Sequence, residues 1–188
     1  MQVGSALSAD RVHPACIDHA RPMELRPATR DDAPAVAAIW EAGWRDGHVG
    51  NVPEALVTAR TPESFRTRAP QRTADTTVAV VDGEVAGFTM AVDDEVEQVY
   101  VDARHRGGGV ATALLSDAER RVREAGHERA WLAVVPGNAR ARRFYERQGW
   151  VDIGLFDHAA PTDDEPVPTP CHRYEKRVQE LVSPGRGG

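Results

Sequence analysis

Three groups of residues in this 188-residue chain have the types and spacing to do chemistry. The first is Arg104-His105-Arg106-Gly107-Gly108-Gly109-Val110-Ala111-Thr112, a basic triple-glycine turn set between an alternating stretch, Glu95 to Val101, and an apolar-faced helix. Glycines let the backbone turn tightly and bring successive amides to one anion, and the open amides and positive dipole end of the following helix favour negative charge there. The turn therefore reads as a cradle for a pyrophosphate. A dinucleotide fingerprint needs a third glycine where Thr112 stands, and a P-loop needs a lysine that follows no glycine of this turn. The second group is Glu95 and Glu97, two apart in a strand and on one face unless a bulge intervenes; such carboxylates suit a general base or a solvated sheet face. The third runs from Val134 to Trp150: Pro136 and Gly137 end a strand, Asn138 opens a short helix carrying Phe144-Tyr145, and Gly149 stops it before Trp150 opens another strand.

The first and third groups together resemble motifs A and B of the GNAT superfamily of acyl-CoA-dependent N-acyltransferases. Motif A asks for Gln or Arg, a Gly three residues on and a Gly or Ala two further, met by Arg106, Gly109 and Ala111; motif B is met by Asn138, Phe144-Tyr145 and Gly149-Trp150. The resemblance covers roughly Leu25 to Val178, and its least matched part is the acceptor-facing region near the start. It implies an α/β (α+β) fold: a mixed, mostly antiparallel twisted sheet of about six to seven strands flanked by helices. It also implies acetyl transfer from acetyl-CoA, as co-substrate, to a primary amine by direct attack in a ternary complex.

The family's site residues carry over position by position. Backbone groups at Val99 and Val101, with Tyr100 between them, are expected along the pantetheine arm and the thioester carbonyl. Arg106, Gly107, Gly108, Gly109, Val110, Ala111 and Thr112 are expected at the pyrophosphate, and Asn138 and Arg142 are counted with the cofactor contacts. Tyr145 is the candidate acid for the departing thiolate, against a plain packing role beside Phe144. Asn138 also suits a helix cap, and Glu95 or Glu97 is the candidate base. Trp40, Trp44 and His48 fall where similar proteins line the acceptor pocket. An aromatic pair there suits an amine's carbon skeleton or a cation, and two Trp one turn apart equally suit a core.

The elements that must position these residues can be traced along the chain. A strand begins near Met23, and Asp31 or Asp32 caps a helix bearing Val36, Ile39, Trp40, Gly43 and Trp44, with Pro34 in its first turn. Helical stretches follow near Glu54 to Arg60 and Pro62 to Arg68. Thr76 to Val81 and Glu84 to Val92 form a hairpin about Asp82-Gly83. After the glycine turn, Val110, Ala111, Leu114, Leu115, Ala118 and Val122 recur at helical spacing up to Gly126, and Ala130 to Val135 is a buried strand parallel to the one before the helix. Two last strands are expected at Trp150 to Phe156 and His172 to Val178. Between them Asp157 to Pro170 reads as an acidic flexible loop near the acceptor cleft, with Asp163, Asp164 and Glu165 able to draw in a cationic amine.

Bulk properties narrow the classes. The net charge of −6 argues against general nucleic-acid binding, and no apolar run approaches the ~18 residues that span a membrane. Cys16 and Cys171 are too few for a disulfide framework, and no His, Cys, Asp or Glu spacing suggests a metal. Residues 1–22 lack the apolar core of a signal peptide and read as a flexible extension; 23–182 form one domain, 183–188 a disordered tail, and the location is cytoplasmic. The expected partner is a small-molecule amine, with neither nucleic acid nor membrane and with a homodimer allowed. The alternatives are acetylation of a protein N-terminus or lysine, and a non-catalytic acyl-CoA-binding regulatory module.

Overall fold

Alternating apolar residues in seven segments pair into one sheet, seen in a computed structural model that describes residues 22–179. All but the last residue of the expected N-terminal extension, with Cys16, and the 183–188 tail lie outside those residues. The order along the chain is β1 (Met23–Pro27), α1 (Ala33–His48), α2 (Glu54–Ala59), α3 (Pro62–Gln71), β2 (Thr76–Val81), β3 (Glu84–Val92), β4 (Glu95–Val101), α4 (Val110–Glu124), β5 (Arg129–Val134), α5 (Ala139–Arg147), β6 (Val151–Ala160) and β7 (Val167–Arg177). The strands lie in the order β1-β2-β3-β4-β5-β7-β6, antiparallel throughout except between β4 and β5. The mixed sheet flanked by helices expected from the sequence is the fold observed.

Strand alternation divides the core. Val78 of β2 joins Val36, Trp40, Trp44, Phe65, Phe88 and Met90 beneath α1 and α3, while its neighbours Ala79 and Val81 pack with Val110 and Leu114 of α4 on the other face. Leu115, Ala118 and Val122 of the same helix continue into a third cluster with Leu132, Tyr145, Trp150 and Tyr174. The hairpin between β2 and β3 turns at Asp82 and Gly83, both with positive φ (53° and 80°), the geometry that an Asp-Gly pair tolerates in a tight two-residue turn.

Two expectations about strands need correction. Asp157 to Pro170 is not a long loop. β6 and β7 pair from Val151↔Glu175 to Ala160↔Val167, leaving only residues 161–166 as the connection. β7 holds the prolines at 168 and 170 while pairing with β6. Second, β4 carries a bulge: Met90 pairs with Gln98 and Ala91 with Val96, so Glu97 is the extra residue and Glu95 and Glu97 do not share one regular strand face.

The feature that positions the site lies at the centre of the sheet. β4 and β5 are in register at a single pair, Glu95↔Trp131. Beyond it the edge of β4 that faces β5 has no strand partner among the described residues. Its backbone groups are left facing the gap, where they remain available to something other than a neighbouring strand.

Candidate functional site

Two cavities open along that gap. The larger, about 460 Å³, lies between the C-terminal half of β4, the glycine turn and α5, lined by Val99, Tyr100 and Val101, Arg106, Gly107, Gly109, Ala111 and Thr112, Asn138 and Tyr145. The smaller, about 330 Å³, lies among α1, α2, α3, the N-terminal half of β4 and the β6-β7 hairpin. Val99, Tyr100, Asn138, Ala141 and Tyr145 line both, so the cavities adjoin at one wall.

The larger cavity is walled by open backbone amides and guanidinium groups, chemistry that suits an anion. Gly107 and Gly109 adopt φ of 82° and 83°, a region open to glycine at little cost, and Gly109 is the residue that starts α4. The first backbone bond into α4 runs from the Ala113 amide to the Gly109 carbonyl, which leaves the amides of Val110, Ala111 and Thr112 without intrahelical acceptors. A Cβ placed on Gly107 or Gly109 meets nothing within 4 Å, so protein packing does not require glycine there; the backbone conformation does. Arg106 and Arg140 both pair with Asp46 of α1, at 3.1 Å and 2.7 Å, placing two guanidinium groups beside this cavity.

The expected cofactor residues differ in what they present. Val110 turns its side chain into the core and leaves only its amide open at the helix start, and Gly108 does not line the cavity. Arg142 lines neither cavity: its guanidinium donates to the Tyr174 hydroxyl at 3.1 Å and to Asp152 at 3.2 Å, on the β6-β7 side of α5. Two residues along a helix swing a side chain about 200° around the axis, so Arg140 and Arg147, about two turns apart, face the cavity while Arg142 does not.

Gly43 and Asn138 set the shared wall. A Cβ on Gly43 lies 2.3 Å from Cδ1 of Tyr100, so only glycine lets α1 lie against that ring. Asn138 accepts from the Ala141 amide at 3.1 Å, the helix-cap geometry, while also lining both cavities. Tyr145 is 9% exposed, packs edge-on to Phe144 and Trp150, and has no hydrogen-bond partner for its hydroxyl among the described residues. Burial pushes its phenol well above the ordinary range, so it holds its proton at every working pH.

The smaller cavity contains both carboxylates of β4, in different states. Glu97 is tied by Arg72 at 2.7 Å, and Arg72 also holds Asp75. Glu95 has no ion-pair partner among the described residues; burial first, then the charges of Glu97 and Asp94, push its carboxyl up to about 7. Trp40 and Trp44 are core residues as well as wall, at 1% and 5% exposure, with Trp40 edge-on to Phe65 and Phe88. His48 stacks on Trp44 at 5.0 Å, with Nδ1 2.9 Å from the Trp44 carbonyl; burial lowers its pKa, so the neutral ring donates there and leaves Nε2 free. Cavity residues that sequence reasoning did not assign to a site include Arg60, Arg68, His158 and Cys171. They come from the end of α2, from α3 and from two strands, and nothing in their spacing signals that they converge.

Comparison with known proteins bears on this arrangement. A family model described as acetyltransferase (GNAT) family matches residues 36–150. An uncharacterized N-acetyltransferase of Mycobacterium tuberculosis is 32% identical over 74 residues, 37% of this chain and 47% of that protein. A streptothricin acetyltransferase of Streptomyces lavendulae is 36% identical over 87 residues, 43% of this chain and 46% of that protein. The chain thus spans about half the length of the curated relatives it matches. Among solved structures, a putative acetyltransferase of Salmonella typhimurium with its cofactor acetyl-CoA superposes with a TM-score of 0.60 at 18% identity, covering 88% of this chain and 99% of that one.

Proposed function

Because the chain belongs to the acetyltransferase (GNAT) family, we propose that it moves an acetyl group from acetyl-CoA to the primary amine of a small molecule, by direct attack with both substrates bound. The observation that carries this reading is the shared wall: a pyrophosphate-type cradle and a carboxylate-bearing cavity adjoin at Val99, Tyr100, Asn138 and Tyr145. Acetyl-CoA supplies the activated acetyl as a thioester. The residues of the chain bind, orient and move protons around it.

The amides of Val110, Ala111 and Thr112, with Arg106 and Arg140 nearby, suit the pyrophosphate. The unpaired edge of β4 offers backbone donors and acceptors to the pantetheine arm, and an amide near Val99 suits the thioester carbonyl as negative charge develops on its oxygen. Glu95, with its carboxyl near 7, is the group able to take a proton from the acceptor ammonium at neutral pH. Glu97 is the poorer candidate because Arg72 already satisfies it. Tyr145 keeps its proton and faces both cavities, which fits a donor to the departing thiolate. Pro161, Trp44 and Leu56 help to confine the acceptor side to a cavity of about 330 Å³, a size that suits a small molecule, and a relative named for streptothricin agrees with that class.

The test is turnover of acetyl-CoA against a panel of small amines, with free thiol as the readout and N-acetylated product identified by mass. Acetylation of at least one small amine, with no acceleration by peptides ending in a free N-terminus or bearing lysine, is the expected outcome. Tight acetyl-CoA binding with no acceptor in any class overturns the enzymatic reading in favour of a binding module.

A further inference from the structure

Two arginines in the smaller cavity have no counter-charge in contact. Arg60, just after α2, is 8% exposed, and its only side-chain hydrogen bond among the described residues goes to the Pro161 carbonyl on the β6-β7 connection. Arg68 of α3 lies over the Trp40 ring at 4.7 Å, with Nη1 buried and without a hydrogen-bond partner. Neither forms an ion pair with a described residue. Asp163 and the tyrosine at 100 act on both only through space, as Glu97 does on Arg68, while Arg68 opposes the charge of Arg60 and Arg72 that of Arg68. A buried guanidinium without a counter-charge is costly, and a fold keeps such a group where something outside the chain completes it. Burial lowers Arg60 only to about 10, so it stays charged at neutral pH.

We infer that Arg60 and Arg68 form an anion-recognising subsite in the acceptor cavity, so that the acceptor carries a compact anionic group, of carboxylate type, together with its amine. The inference rests on the reading of this cavity as the acceptor site. A planar guanidinium presents paired donors that match a carboxylate, and two converging arginines bind such a group far better than they bind a neutral amide. Glu95 lies elsewhere on the same wall set, with Arg72 and Arg173 rather than Arg60 and Arg68 as the cations acting on it. The cavity therefore offers an anion-binding pair and a proton-accepting group, with Trp44 and Leu56 among its apolar lining. That polarity selects amino-acid-like molecules and disfavours simple cationic amines, a different preference from the one that Asp163, Asp164 and Glu165 suggest in the sequence.

The experiment pairs each amino acid with its decarboxylated amine and its carboxamide, measures kcat/KM for all three, and repeats the set on Arg60→Met, Arg68→Met and Arg68→Lys. The acid is expected to exceed both neutral partners by about 30-fold or more, and the Met variants to bring that ratio toward one through KM, with Arg68→Lys intermediate. Calorimetry with CoA present gives a second readout: an N-acetylamino acid should bind the parent protein more tightly than the matching N-alkylacetamide, and lose that advantage in the Met variants. Retained acetyl-CoA affinity and a cooperative melt report that the variants fold; Arg68→Met also gives up the contact with the Trp40 ring, where Arg68→Lys keeps a cation. If amines are acetylated without regard to the carboxylate, the subsite is wrong while the acetyltransferase reading stands. If carboxylates bind in an arginine-dependent way but nothing is acetylated, the subsite stands and the acetyltransferase reading falls. Absence of both kinds of carboxylate preference overturns the subsite outright.

Discussion

At the scale of single residues, the site depends on side chains whose ionisation burial has shifted. Tyr145 keeps its proton, so Tyr145→Phe preserves the packing against Phe144 and Trp150 and removes only the donor. Single-turnover acetyl transfer is expected to slow by about 10²–10⁴-fold with acetyl-CoA binding intact, and a loss under about threefold reduces Tyr145 to a packing residue. Glu95 gives a pH signature. Its carboxyl lies near 7 in the folded protein against 4.5 as the ordinary value, so below neutrality it is protonated and cannot accept a proton. Activity should rise as pH passes through about 7, and Glu95→Gln should flatten that limb while lowering the rate by a similar factor. The folded state holds this proton more tightly than the unfolded chain, so its contribution to stability is complete below about 4.5 and is lost as pH rises through about 7. Thermal melts should therefore show Glu95→Gln gaining on the parent protein above neutrality.

Elements decide what these residues face. The glycine turn works through backbone conformation, since left-handed residues at Gly107 and Gly109 aim the first amides of α4 into the larger cavity. Gly109→Trp strains a φ of 83° and fills the space over those amides, so acetyl-CoA affinity measured by calorimetry should drop at least tenfold. Unchanged affinity in a folded variant places the pyrophosphate elsewhere. The bulge at Glu97 and the one-pair register of β4 with β5 act together. The bulge sets Glu97 apart from the regular alternation, where it pairs with Arg72, and the lost register leaves the backbone of β4 open toward the gap.

For the whole molecule, site and core share residues. Trp40 is at once the centre of the cluster beneath α1 and α3 and a wall of the smaller cavity. Trp40→Ala should cost about 3–5 kcal/mol by denaturant titration, because the ring is 1% exposed and its neighbours Phe65 and Phe88 cannot close the void. Acceptor KM should rise in the same variant, whereas a purely structural Trp40 lowers stability and leaves KM in place. A shared wall also ties the two cavities to one body of packing: α1 reaches the larger one through Gly43 and the smaller one through Trp44 and His48.

Local chemistry determined much of this protein from sequence alone. Glycine spacing before an apolar helix, Asp82-Gly83 between two β-rich runs, and Asn138 ahead of Phe144-Tyr145 are each short-range signals, because turn geometry, helix capping and dipole ends depend on a few adjacent residues. Those signals located the glycine turn, most of the order of elements and the phenol at the shared wall. What only the tertiary structure decided depends on long-range packing. Arg140 faces the cavity while Arg142 turns to Tyr174, since the rotation of α5 is set by what β7 offers. β6 and β7 zip through a segment whose prolines and acids read as a loop, because pairing and burial of Ala160, Thr169 and Cys171 outweigh local preference. Arg60 and Arg68 meet in one cavity only once α2, α3 and the β6-β7 hairpin are assembled, and no pattern of residues along the chain encodes that convergence.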